Sequence, residues 1–109
     1  SPWDRTVPYT NKKTGYSTTL YNINVVATHL GRTSQTVRKW EIAGTIPKTP
    51  FSIQGRRLYC TEQIEILVEC AEKAKISTGK KISQTNFTRN VQLRWNKLFT
   101  EIFGNEQEE

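Results

Sequence analysis

Asn22-Ile23-Asn24-Val25-Val26-Ala27-Thr28-His29-Leu30-Gly31-Arg32-Thr33-Ser34-Gln35-Thr36-Val37-Arg38-Lys39-Trp40-Glu41-Ile42-Ala43-Gly44 carries two helical patterns back to back. In the first, Ile23, Val26, Ala27 and Leu30 stand at i, i+3, i+4 and i+7, one face of a short helix. Asn22 is placed to cap it, and Gly31 to close it in the left-handed region. Thr33 restarts the chain as a second N-cap. Val37, Trp40 and Ala43 then point inward, and Gln35, Arg38, Lys39 and Ile42 outward. Gly44 stops the second helix and Pro47 prevents its resumption. His29 reads as an exposed residue of the first helix.

A glycine-centred turn of about three residues fixes the angle between two helices, so that the first braces the second as it projects into a groove; this is the helix-turn-helix arrangement. Downstream, Lys48-Thr49-Pro50-Phe51-Ser52-Ile53 and Arg56-Arg57-Leu58-Tyr59 flank Gln54-Gly55, the pattern of a hairpin wing with a basic tip. Thr61-Glu62-Gln63-Ile64 opens a third helix. Its apolar face is Ile64, Leu67, Val68, Ala71 and Ala74, with Glu62, Glu65, Glu69 and Glu72 facing water. Ser77-Thr78-Gly79-Lys80-Lys81 breaks the pattern. A fourth helix is predicted from about Gln84 to Phe103, with Phe87, Val91, Trp95, Leu98 and Ile102 on one stripe and Leu93, Phe99 and Phe103 off it.

Upstream, Asn11-Lys12-Lys13-Thr14-Gly15 reads as a hairpin loop between β-forming flanks, with an irregular arm as the alternative that Pro8 favours. The predicted organisation is therefore an arm or β-hairpin at 1–20, a DNA-binding domain at 21–76, a linker at 77–83, a packing or oligomerisation helix at 84–103, and an acidic tail at 104–109. The predicted fold class is mainly α with a small β wing: a winged helix-turn-helix plus a C-terminal helix and an N-terminal hairpin. A stripe of large side chains on a chain this small also predicts self-association through 84–103, and a folded monomer if the chain is cut after Thr78.

The chain has 109 residues, enough for one modest core; three Trp, four Tyr and four Phe supply its bulk despite a 35% hydrophobic content. The net charge is +6, unevenly spread. From Ser1 to Thr61 nine Lys and Arg face two acidic residues, whereas from Glu62 to Glu109 seven basic residues face eight acidic ones. A basic half of that kind suits a polyanion, and an ordinary solvated surface is the alternative. No segment is apolar and long enough to span a membrane, and the start, Ser1-Pro2-Trp3-Asp4, has no leader pattern and reads as a trimmed boundary. A cytoplasmic protein is expected, bacterial or of a phage in the bacterial cytoplasm. Cys60 and Cys70 lie too far apart for a metal-binding pair and, on or beside one helix, ~15 Å apart along its axis, beyond disulfide reach. Both are expected as thiols, Cys70 half-buried. One His, one Asp and no matched carboxylate pair offer no acid–base or nucleophile constellation, so no catalytic residue, metal or cofactor is expected.

The segment Asn22 to Ala74 resembles the DNA-binding domain of the MerR superfamily, which includes metal- and drug-responsive activators and phage excisionases. Ile23, Ala27 and Gly31 are similar to its first helix and turn. Thr36-Val37-Arg38-Lys39-Trp40-Glu41 resembles its Thr-aliphatic-Arg-aromatic-aromatic-Glu signature, with Lys39 in place of an aromatic residue. Gly44-Thr45-Ile46-Pro47 resembles its exit, and Gly55-Arg56-Arg57-Leu58-Tyr59 its wing. The long dimerising helix, the effector domain and the cysteine metal loop of that family are missing, so ligand sensing is not implied.

The resemblance implies sequence-specific binding of double-stranded DNA by a transcriptional regulator or excisionase-type factor. The expected contacts are Thr33, Ser34, Gln35, Thr36, Arg38, Lys39 and Trp40 of the second helix, Arg56 and Arg57 of the wing on the backbone or minor groove, Lys48, and Lys12 and Lys13 at the tip of the first hairpin. Arg38 can fork to a phosphate or guanine edge and Gln35 can pair with adenine. Trp40 reads mainly as core and Thr33 mainly as a cap; Arg57 also suits a salt bridge to the third helix, and Tyr59 a packing role. Lys12 and Lys13 read equally as backbone contacts or solubility charge. A weak or DNA-induced homo-oligomer is expected, with RNA polymerase or another protein as a further partner. The alternatives are a phage terminase small subunit and a protein-binding adaptor.

Overall fold

The computed structural model describes residues 6–76 and 81–104. The trimmed start, most of the 77–83 linker and residues 105–109 of the acidic tail lie outside the described residues.

The chain begins with a hairpin, β1 (Val7–Thr10) and β2 (Ser17–Asn22). Asn11 shapes its loop: its side-chain oxygen accepts from the amides of Lys13 (2.9 Å) and Thr14 (3.1 Å), and Gly15 turns the chain back with φ 77°. Strand β2 runs without a linker into α1 (Ile23–Leu30), because Asn22 stays extended while its Oδ1 accepts from the Val25 amide at 3.2 Å. Gly31 closes α1 at φ 69°, and Thr33 opens α2 (Ser34–Ala43) by accepting from the Thr36 amide. The second hairpin, β3 (Phe51–Ile53) and β4 (Arg56–Cys60), turns on Gln54 and Gly55, both at positive φ, as a two-residue primed turn requires.

Strand β4 in turn runs straight into α3 (Thr61–Ala74). The buried Gln63 side chain stitches that junction. Its oxygen accepts from the Cys60 amide at 2.9 Å, its nitrogen donates to Thr49 Oγ1 at 3.3 Å, and its backbone carbonyl accepts from Trp95 Nε1 at 3.2 Å. A 3-10 turn at Ile82–Gln84 precedes α4 (Phe87–Phe103), so the last helix starts three residues later than the periodicity suggests. Thr85 is extended, and its hydroxyl accepts from the Phe87 amide.

The fold class differs from the sequence expectation of a mainly α chain with a small β wing. The two hairpins form a single four-stranded antiparallel sheet in the order β1-β2-β4-β3, joined through Leu20↔Cys60, Tyr21↔Tyr59 and Asn22↔Leu58. The result is a half-barrel sheet with four helices, 56% helix and 19% strand, in which no winged helix-turn-helix is identified. Two causes account for the correction. Leu20, Phe51, Leu58, Tyr59 and Cys60 are all buried, so the base of the 51–60 hairpin belongs to the core of a larger sheet, while residues 52–57 at its tip are exposed. The first hairpin covers the flank of β4 that a free wing would expose to water.

Helix α4 is also core. Phe87, Val91, Trp95, Leu98 and Ile102 are all buried within this one molecule. Phe99 and Phe103 pack against the same core, Phe103 in an aromatic cluster with Tyr9 and Phe51 and Phe99 against Trp95. The stripe therefore needs no second molecule; Leu93 alone of the residues singled out on this helix stands exposed, at 58%. The edge strands β1 and β3 approach one another at this end, the Tyr9 and Phe51 rings 5.0 Å apart, and Phe103 packs against both.

Candidate nucleic-acid interface

Helix α2 presents a wet face on a firmly held body. Val37 and Trp40 are buried, and Trp40 meets Phe87 edge-on at 5.5 Å while the Arg32 guanidinium lies over its indole. Gln35, Arg38, Lys39 and Ile42 are exposed. Ala43, expected to face inward, is exposed as well, because Gly44 ends the helix there and the chain turns away.

Three of the predicted contact residues converge. Arg38 of α2 and Arg56 and Arg57 of β4 line one cleft of about 370 Å³, completed by Gly55 and by Asn22, Ile23 and Asn24 at the start of α1. No acidic residue lines it. Arg56 and Arg57 are neighbours on β4, whose successive side chains alternate between its sides, and both line the cleft.

Arg57 is anchored from below. Its Nε forms an ion pair with Glu41 of α2, not with α3 as the sequence suggested. Glu41 is 3% exposed, and its other oxygen accepts a 2.7 Å hydrogen bond from the Tyr59 hydroxyl. Arg57 and Tyr59 stand two apart on β4 and so share a face, which is why one carboxylate can take both. Burial first, and then the hydrogen bond to Glu41, hold the Tyr59 phenol far above its ordinary range, so it remains a donor. The Arg57 side chain is still 47% exposed.

The remaining predicted contacts distribute unevenly. Thr33 and Thr36 are occupied at the start of α2, their hydroxyls 3.1 Å apart; Ser34 is half-buried beside them. Trp40 is a core residue. Lys39 and Lys48 are exposed but do not line the cleft. Lys12 and Lys13 lie at the opposite end of the six-residue β2 from Asn22, roughly 20 Å away at strand spacing. Their loop is tied to the end of α4, where Thr14 Oγ1 donates to the Ile102 carbonyl at 2.6 Å. The fold does not bring them to the cleft.

Sequence reasoning missed Asn22 and Asn24 as cleft residues and Glu41 as the arginine's anchor. Only the β2–β4 register, Asn22↔Leu58, carries α1's start to the base of the hairpin, and nothing local signals that pairing.

Elsewhere, both cysteines are buried thiols, Cys70 more deeply than expected. Burial pushes the Cys60 thiol up to about 12 and raises Cys70 as well. Among the described residues no cluster of His, Cys, Asp or Glu is placed to hold a metal ion, and no helix is long and apolar enough to cross a membrane. No protein-family model, curated protein or solved structure matches the chain.

Proposed function

We propose that this chain binds double-stranded DNA through the face made by α2 and the β3–β4 turn. The observation that carries the reading is the meeting of Arg38, Arg56 and Arg57, from two separate elements, at one cleft with no acidic residue in its lining. Like charges brought together repel, and a bound polyanion offsets that repulsion. Guanidinium forks match phosphate oxygens. Beside them, Gln35 and Arg38 on the exposed face of α2 are side chains that can read base edges, and an α-helix is the element that fits the major groove. Lys39 and Lys48 add general attraction.

The role such a surface serves is that of a site-selecting regulator or excisionase-type factor in a bacterial cytoplasm. Sedimentation of the chain with and without a random-sequence duplex, at two salt concentrations, tests the reading. Co-sedimentation that weakens steeply with salt is expected, since each neutralised phosphate adds about −0.9 to the slope of log K against log salt. Absence of co-sedimentation at low salt, or binding indifferent to salt, would contradict it.

A further inference from the structure

Resting on that reading, we propose that Glu41 is a positioning residue, holding Arg57 by its Nε so that the rest of the guanidinium takes a DNA backbone phosphate in the cleft shared with Arg38 and Arg56. Glu41 is the one acidic side chain the fold buries among the described residues, and its carboxylate meets the binding surface through Arg57. A buried carboxylate is costly unless paired, and breaking such a pair strands the charge. Here one oxygen accepts a hydrogen bond from Tyr59 on the core side, and the other, which accepts no hydrogen bond, is paired by charge with Arg57 on the surface side.

Arginine suits this dual use because its five N–H donors lie in one rigid plane. The ion pair at Nε holds the group from beneath, and the outer edge keeps its fork geometry for a phosphate. A free arginine at the same place would have to be ordered on binding, at a cost in side-chain entropy. Lysine suits this use less well: its ammonium has three donors but no rigid fork to present to a phosphate while it faces Glu41.

The inference separates sharply from simple charge masking. If Glu41 only neutralised Arg57, its removal would add one positive charge to the cleft and strengthen binding. If it positions Arg57, its removal should weaken binding although the cleft becomes more positive. Binding to a short random duplex would be followed by anisotropy across a salt series for the wild-type chain and the Glu41→Gln, Arg57→Ala and Glu41→Gln/Arg57→Ala variants. Glutamine keeps an acceptor for Tyr59 and removes the ion pair. The expected result is a slope of log K against log salt shallower by about 0.9 in Glu41→Gln and in Arg57→Ala alike, with no further loss in the double variant. A purely structural effect would lower K by a constant factor and leave the slope unchanged.

An unchanged slope or tighter binding in Glu41→Gln would overturn the inference, as would an unchanged slope in Arg57→Ala. Should Glu41→Gln fail to fold, Arg57→Lys decides: a slope as shallow as that of Arg57→Ala supports positioning, and a wild-type slope overturns it. Failure of the wild-type chain to bind DNA at all would instead strike the functional reading, so the two failures are distinguishable.

Discussion

Glu41 and Gln63 are the two polar side chains that the fold buries among the described residues, and each joins segments far apart in sequence. Gln63 satisfies the Cys60 amide at the point where β4 becomes α3, a backbone donor that would otherwise be stranded away from water. Gln63→Ala should therefore cost at least about 1–3 kcal/mol, the penalty of an unmade buried hydrogen bond; denaturant titration measures it. Trp40→Ala, which empties a site against Phe87, should cost about 3–5 kcal/mol by the same measurement. Cys60, fully buried with its thiol pushed up to about 12, should resist thiol reagents at neutral pH until the chain is unfolded. Trp40 was legible as core from its helical periodicity, and Tyr59 as a packing residue of the second hairpin. Glu41 was not, because its partners Arg57 and Tyr59 lie sixteen and eighteen residues downstream, and a lone acidic residue at a helix end normally reads as surface.

The elements that could be read directly are those whose ends carry their own chemistry. Asn22, Gly31, Thr33 and Gly44 bound α1 and α2 by caps and left-handed closures that a single residue type supplies. Thr33→Ala should cost about 1 kcal/mol through the lost cap. Gly55→Ala should cost about 1–2 kcal/mol from backbone strain alone, since φ is +79° and an added Cβ would meet nothing within 4 Å; thermal unfolding checks both. What could not be read was how the hairpins associate, because Leu20↔Cys60 joins residues forty positions apart and depends on which strand edges find each other. The first turn of α3 records that junction in its acid response. Burial raises the Glu62 carboxyl, but hydrogen bonds from Thr18, its own amide and Tyr16 outweigh it and leave it below the usual carboxylate range. Its folded form is thus favoured when ionised, so the stabilisation is present above the ordinary carboxylate range and is lost as pH falls through the lowered value. The stability gap between the wild-type chain and Glu62→Gln should accordingly shrink on acidification; a gap that widens toward low pH would show the opposite shift.

Among the described residues one core joins the sheet and the four helices, and α4 supplies Phe87, Val91, Trp95, Leu98 and Ile102 to it. Its indole at Trp95 is fully buried and bonded to the Gln63 carbonyl, so removing residues 84–103 would expose the inner faces of α3 and the sheet together. A chain cut after Thr78 should lose cooperative unfolding by circular dichroism, the reverse of the folded fragment that the sequence suggested. The periodicity identified the stripe on α4 correctly but could not say what it met, since a hydrophobic face looks the same whether it covers its own sheet or a partner. The charge asymmetry follows from the same architecture: the basic cleft sits at the α2 and β3–β4 end, while the Glu-bearing faces of α3 and α4 meet elsewhere, Arg94 pairing with Glu69 at 2.7 Å. The central claim is that the three arginines of the cleft act together on duplex DNA, and the salt dependence of binding by Arg38→Ala/Arg56→Ala/Arg57→Ala beside the wild-type chain tests it most directly. Three lost phosphate contacts predict a slope shallower by about 2.7, read at a temperature where circular dichroism shows both proteins folded; equal slopes for the two proteins would contradict the account.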